Sequence, residues 1–280
     1  MNNIISADFF RLRRGAALRN TLIGVAIFII FIAVMFFFSQ SEGFNDLMMD
    51  SAEGISAAEA AQMEQDLQEL QEGSSVNNGA DFAAEMLAQS IIFLAFLPIA
   101  LAIFCADFSA GTYRNTLSYE SNRKRVYLSK LLLSAGLCIL IALAMVLFSC
   151  LVGGIFFGFA GFTGQFFAHT LTTFVLQLPL FLAAVAVCHF LIAFTQKSST
   201  TITIFLVGFM AITVILQVLA TSVPGMDWLM LFDPQSGGKI MAYREMASTA
   251  DMVIVAGYNI AVAVAATVLG LVRYRKVDMP

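Results

Sequence analysis

Long apolar runs separated by shorter polar connections make up most of this chain, and the length of each run decides what it can be. A hydrocarbon core about 30 Å thick takes roughly 20 residues of helix to cross. Six stretches meet that length, near 21–38, 86–105, 130–158, 168–194, 201–221 and 252–272. The third is long enough to tilt or to extend past the headgroups. Pro98 and Pro179 fall inside two of the runs, where kinks are expected and neighbouring helices can satisfy the freed carbonyls. Ahead of the first run, Ile5, Phe9 and Leu12 recur at helical spacing while Arg11, Arg13 and Arg14 surround the other side, so 1–20 reads as a helix lying in the headgroup layer.

Two connections carry their own patterns. In 39–85, Ser56 and Glu59 form a capping-box pair, Ala60, Met63, Leu67 and Leu70 share one face, and Gly73 can stop the helix. The last connection, 222–251, mixes Pro224, Trp228, Leu229, Met230, Leu231, Phe232 and Pro234. It is too apolar for a free loop and too short to cross, which predicts a re-entrant or interfacial element with Trp228 at headgroup depth.

Composition agrees with the pattern. Hydrophobic residues make up 59% of 280 and charged residues only 12%, about half the share of a water-soluble domain. Thirteen of the fifteen lysines and arginines fall on one side of the six spans, and only Lys239 and Arg244 on the other. The basic side is cytoplasmic by the positive-inside rule, and an even number of spans puts both termini there. The expected architecture is therefore an all-α polytopic protein, one transmembrane domain over 1–280, in a cell membrane. Opposite the basic side, 39–85 holds eleven acidic residues and no basic one. Such a loop is either a solubilising segment or a lid that attracts cationic ligands, with Glu59, Glu64, Asp66, Glu69 and Trp228 as candidate contacts.

Most catalytic chemistry is missing. The nearest fragment to a phosphate-binding loop, Gly237-Gly238-Lys239-Ile240, lacks the upstream glycine and the hydroxyl residue that would hold magnesium. His169 and His189 stand twenty residues apart without a neighbouring carboxylate and read as packing residues. Cys105, Cys138, Cys150 and Cys188 show no paired spacing and read the same way. The spans hold almost no ionisable residue away from their ends, which weighs against ion-coupled transport. Gln177, Gln217 and Asn259 suit helix-to-helix hydrogen bonds. Gly154 and Gly158 make a GxxxG pattern of the kind found at helix seams. No nucleophile or metal constellation suggests an enzyme, and no cofactor is expected on this chain.

One basic-side segment is more specific. It runs Asp107-Phe108-Ser109-Ala110-Gly111-Thr112-Tyr113-Arg114-Asn115, then Ser121-Asn122-Arg123-Lys124-Arg125 and Tyr127-Leu128-Ser129-Lys130. Gly111 lets the backbone turn from the membrane, Thr112 can cap a new helix and Asp107 suits its positive end. Here the chain resembles the permease subunits of type-2 ABC exporters, with a flavour similar to those of bacitracin and lantibiotic self-protection. The resemblance implies a short coupling helix seated in a separate ATP-binding subunit, with Asp107, Gly111, Thr112, Arg114, Asn115, Arg123 and Lys124 at the contact. Mg-ATP would then be bound by the partner ATPase.

It also implies pairing with a second permease, in a homo- or heterodimer, surrounded by lipid, with an amphipathic substrate such as an antimicrobial peptide and no nucleic acid. Two alternatives share the residues: export of a lipid, glycolipid or small hydrophobic compound, and a non-transporting membrane sensor or adaptor.

Overall fold

The computed structural model describes residues 2–39, 76–89, 92–105, 108, 122–244 and 247–276. Among them every regular element is helical: α1 (Asn2–Arg14), α2 (Ala16–Ser39), α3 (Gly79–Ala88), α4 (Ile92–Ala100) with a wide π turn (Leu101–Cys105), α5 (Arg123–Phe157), α6 (Gly164–Leu176), α7 (Leu178–Thr195), α8 (Ser198–Ser222), a 3-10 helix (Asp227–Phe232), α9 (Pro234–Ala242) and α10 (Thr249–Arg275). Five stretches are long and apolar enough to cross a membrane: α2, α5, α6 with α7, α8 and α10. A shorter apolar helix covers Ala95–Cys105. The protein is a multi-pass helical membrane protein.

Four spans follow their apolar runs closely, each extended by a few residues at both ends or at its start. The other two are broken. The run expected at 86–105 yields α3 and α4, because helix α3 stops at Ala88 ahead of Gln89. Asn78 caps α3 by accepting bonds from the backbone N–H groups of Ala80 (2.9 Å) and Asp81 (3.0 Å), while the Asp81 carboxylate accepts from the Asn77 N–H (3.1 Å) and the Asn78 amide (2.9 Å). Asp81, counted above among the loop's acids, thus has a local capping role. Pro98 lies inside α4, and the π turn follows three residues later.

The run at 168–194 breaks between α6 and α7 at Gln177, two residues before Pro179, since a proline has no N–H to donate to the preceding turn and is accommodated in the first turn of a helix, here that of α7. The buried Gln177 amide bridges the break, donating to the Leu87 carbonyl at 3.0 Å and the Gly238 carbonyl at 3.1 Å. Both N–H groups of the buried amide are thereby satisfied in an apolar interior.

The described residues of Met1–Ile23, Leu87–Ala144 and Thr170–Pro280 form one compact unit. Its centre is α7, buried along most of its length and packed most extensively on α10. By contrast α8 and α10 turn large apolar side chains outward, Val207, Met210 and Val253 each being more than 60% exposed. Surfaces of that kind require hydrocarbon around them. The connection after α8 is neither free nor spanning: the 3-10 helix leads into α9, which Asp233 caps by accepting from the Ser236 N–H (2.9 Å) and hydroxyl (2.8 Å). Gly237, Gly238 and Met241 of α9 are buried, so this connection packs into the protein.

The described residues of Gly24–Met86 and Met145–His169 form the second unit. Gly79 and Gly153 touch backbone to backbone there, a Cβ on either lying 2.6 Å from the other residue. The Gly79 N–H donates to the Gly158 carbonyl at 3.1 Å, and Gly158 ends α5 with a positive φ of 85°. The GxxxG glycines therefore shape a turn and a packing contact within this unit, the Phe159 ring lying over Gly154. Phe82, fully buried, meets the Phe36 and Phe157 rings with centroids 6.2 and 5.4 Å away.

Candidate functional site

The basic segment singled out by its sequence is bounded by two described anchors, the π turn after α4 and the first turns of α5. Asp107, Gly111, Thr112, Arg114 and Asn115 lie outside the described residues, as do Glu59, Glu64, Asp66 and Glu69 of the acidic loop. Arg123, Lys124 and Trp228 lie within them.

Helix α5 starts at a cap. The Asn122 side-chain oxygen accepts from the Lys124 N–H at 3.1 Å, fixing where the chain turns into the helix. Lys124 and Arg125 then point outward, exposed. Arg123 turns the other way and donates from Nη1 to the Arg275 carbonyl at 2.9 Å, at the last turn of α10. That bond satisfies a carbonyl a helix end leaves open and places a cation where the helix dipole favours it. The start of α5 and the end of α10 are thus held together.

Two turns further on, Lys130 is 1% exposed, an unusual position for a lysine. Its ammonium donates to Asp8 Oδ2 at 2.8 Å and to the Ile103 carbonyl in the π turn at 3.1 Å. Arg11 joins the same pair of acceptors, with Nη2 3.3 Å from Asp8 Oδ1 and 3.1 Å from the Ile103 oxygen. A buried ammonium is tolerable only with a carboxylate and further acceptors around it, and both are supplied here. The result is that α1, the end of α4 and the start of α5 meet at one charged knot.

The same geometry defines the side of the N-terminal helix that meets the protein. Leu12 and Asp8, one turn apart, face the protein and are buried, whereas Phe9 is 45% exposed and lies outside that face. Gly15 separates α1 from α2, its N–H still bonded to the Arg11 carbonyl at 2.9 Å.

Beneath the knot lies an aromatic cluster. Phe104 has the Tyr274, Tyr127 and His189 rings at centroid distances of 5.2, 5.5 and 5.0 Å, and Phe108, inside the coupling segment, at 5.7 Å. The His189 Nε2 shares a 2.8 Å hydrogen bond with the Ser134 hydroxyl on α5. The Tyr127 phenol presses on Gly270 of α10 so closely that no Cβ could be placed there, and its hydroxyl is buried without a hydrogen-bond partner. Rigid rings thus join the knot to α5, α7 and α10. Among the described residues no three His, Cys, Asp or Glu side chains gather so as to hold a metal ion.

Trp228 lies apart from these residues. It is 55% exposed on the 3-10 helix and meets Phe232 edge-on at 5.7 Å, which in turn meets Tyr258 of α10 at 4.9 Å. Tyr258 and Arg275 are separated by roughly 25 Å along α10, at 1.5 Å per residue.

Asp8 escaped the sequence reading, and Lys130 entered it as the end of the basic segment, without a partner residue assigned. Their partnership spans 122 positions, so the only local signal was an acid set among arginines on α1. Residues 62–279 match a protein-family model described as a protein of unknown function (DUF2705). No curated protein matches the chain.

Proposed function

Since the chain belongs to the DUF2705 family, whose function is unknown, we propose from its own residues that it is the membrane-embedded permease of an exporter driven by a separate ABC ATP-binding subunit. The observation that carries this reading is the joining of both anchors of the basic 106–129 segment to each other and to two other helices, α1 and α10, through Lys130, Asp8, Arg11 and Arg123. A force applied to that segment would reach α1, α4, α5 and α10 together. Arg114 and Lys124, with Asn115 and the Asp107 to Thr112 turn, form the docking surface for acidic groups on the ATPase. Mg-ATP stays on the partner, and this chain contributes no nucleotide site of its own.

Topology follows. The Asp8–Lys130 and Arg123–Arg275 bonds support a common side for the N-terminal helix, the coupling segment and the C-terminal end, and the lysine and arginine bias makes that side cytoplasmic. The broken α3–α4 run serves as the second of six spans, in a cell membrane, with a second permease completing the transport path. The acidic outer loop suits a cationic amphipathic peptide or similar amphiphile.

Vanadate-sensitive ATP hydrolysis by the chain co-expressed with candidate ATP-binding subunits tests the reading. The expected result is hydrolysis that rises on adding a cationic amphipathic peptide and falls back at high salt. A complex whose hydrolysis ignores every amphiphile offered would contradict the exporter and favour a sensor.

A further inference from the structure

We propose that the cleft between α7, α8 and α10 binds the hydrocarbon chain of a single-chain amphiphile entering sideways from the bilayer. The cavity measures about 290 Å³, and its lining is apolar apart from Tyr258 and Asn259. Asn259 donates one amide N–H to the Val255 carbonyl of its own helix at 2.9 Å, which leaves little polar surface in the lining. Apolar cavities of this kind stay dry, and unfilled ones forfeit dispersion contacts along their lining. A volume at the low end of ligand pockets, about 300–1,000 Å³, suits one chain better than a two-chain lipid or a fused ring system.

Shape points the same way. The lining on α7 runs from Leu180 to Leu191, roughly 16 Å at 1.5 Å per residue, so the cavity is drawn out along the helices. Its space comes from small residues, Ala183, Ala184 and Gly208, and a Cβ placed on Gly208 would meet no atom within 4 Å. The medium outside is hydrocarbon, since neighbouring Val207 and Met210 on α8 are exposed. One end is different. There Tyr258 lines the cavity and packs on Phe232, which carries the exposed Trp228, an aromatic edge suited to a polar headgroup beside an apolar chain.

The site deepens the exporter reading by naming a substrate class, and its role in transport rests on that reading, but binding itself requires no ATPase. The purified chain in phospholipid nanodiscs is photolabelled with a lysophospholipid carrying a diazirine in its acyl chain, and separately with a two-chain phospholipid carrying the same group. The single-chain probe is expected to label Phe205 and Phe209 several-fold more than Val207 and Met210, with unlabelled lysophospholipid competing only at the first set. Gly208→Leu and Ala184→Phe should each suppress the cavity adducts and leave Val207 and Met210 unchanged; the competition arm needs no variant at all. Equal labelling of both sets, or enrichment with the two-chain probe alone, would overturn the proposal, the latter marking a resident bilayer lipid. Loss of ATP hydrolysis with cavity labelling intact would count against the exporter and not against this site.

Discussion

Removing Asp8 and removing Lys130 are unequal changes, although the two side chains bond to each other. Without Lys130, Asp8 keeps Arg11, whose side chain is 40% exposed and solvated. Without Asp8, a fully buried ammonium loses its carboxylate. Breaking a buried pair in that direction costs about 3–5 kcal/mol. Asp8→Ala should therefore lower the unfolding midpoint of the purified protein well below that of Lys130→Met, and Asp8→Ala with Lys130→Met should recover much of the difference. A second residue test concerns Tyr127. Because its hydroxyl is buried without a partner, Tyr127→Phe should be neutral or stabilising. Gly270→Ala places a methyl group against that phenol and should cost about 1–3 kcal/mol as an overpacked contact. Combining the two should recover part of that loss, read as a shift in thermal unfolding.

Single helices show what their sequences made legible. Uninterrupted apolar runs gave α2, α5, α8 and α10 nearly to their ends, because length and hydropathy alone decide whether a helix can cross. The interrupted runs were different. Pro179 announced a kink, yet the break falls at Gln177, whose side chain holds Leu87 and Gly238 from distant parts of the chain. No local pattern could reveal those partners. Gln177→Leu keeps the volume but removes two buried hydrogen bonds, and should cost about 1–3 kcal/mol. Hydrogen exchange should then quicken in α9 and near Ala88 while α8 and α10 keep their protection. Unchanged exchange in α9 would mean that the Gln177 bridge does not hold α9 in place. The basic residues of the coupling segment were equally legible as charges, whereas the knot behind them was not, since Asp8, Ile103 and Lys130 belong to three separate elements.

In the whole molecule, the exposed charges at the start of α5 and the buried charges behind them can be separated by mutation. Lys124 is exposed and Arg123 bonds to α10, so their charges serve different ends. Lys124→Glu should impair docking of the ATPase without altering thermal stability, whereas Asp8→Ala should leave docking intact and weaken the stimulation of ATP hydrolysis by substrate. The most direct test of the central claim is co-purification. The chain is tagged and expressed with each candidate ABC ATP-binding subunit encoded in the same genome, and the bound ATPase is quantified for the wild type and for an Arg114→Glu, Lys124→Glu variant. One ATPase should co-purify at near-equal stoichiometry with the wild type and be lost from the variant, while both proteins remain monodisperse in the membrane fraction. Co-purification that survives both charge reversals, or the absence of any ATPase from the wild-type complex, would contradict the claim.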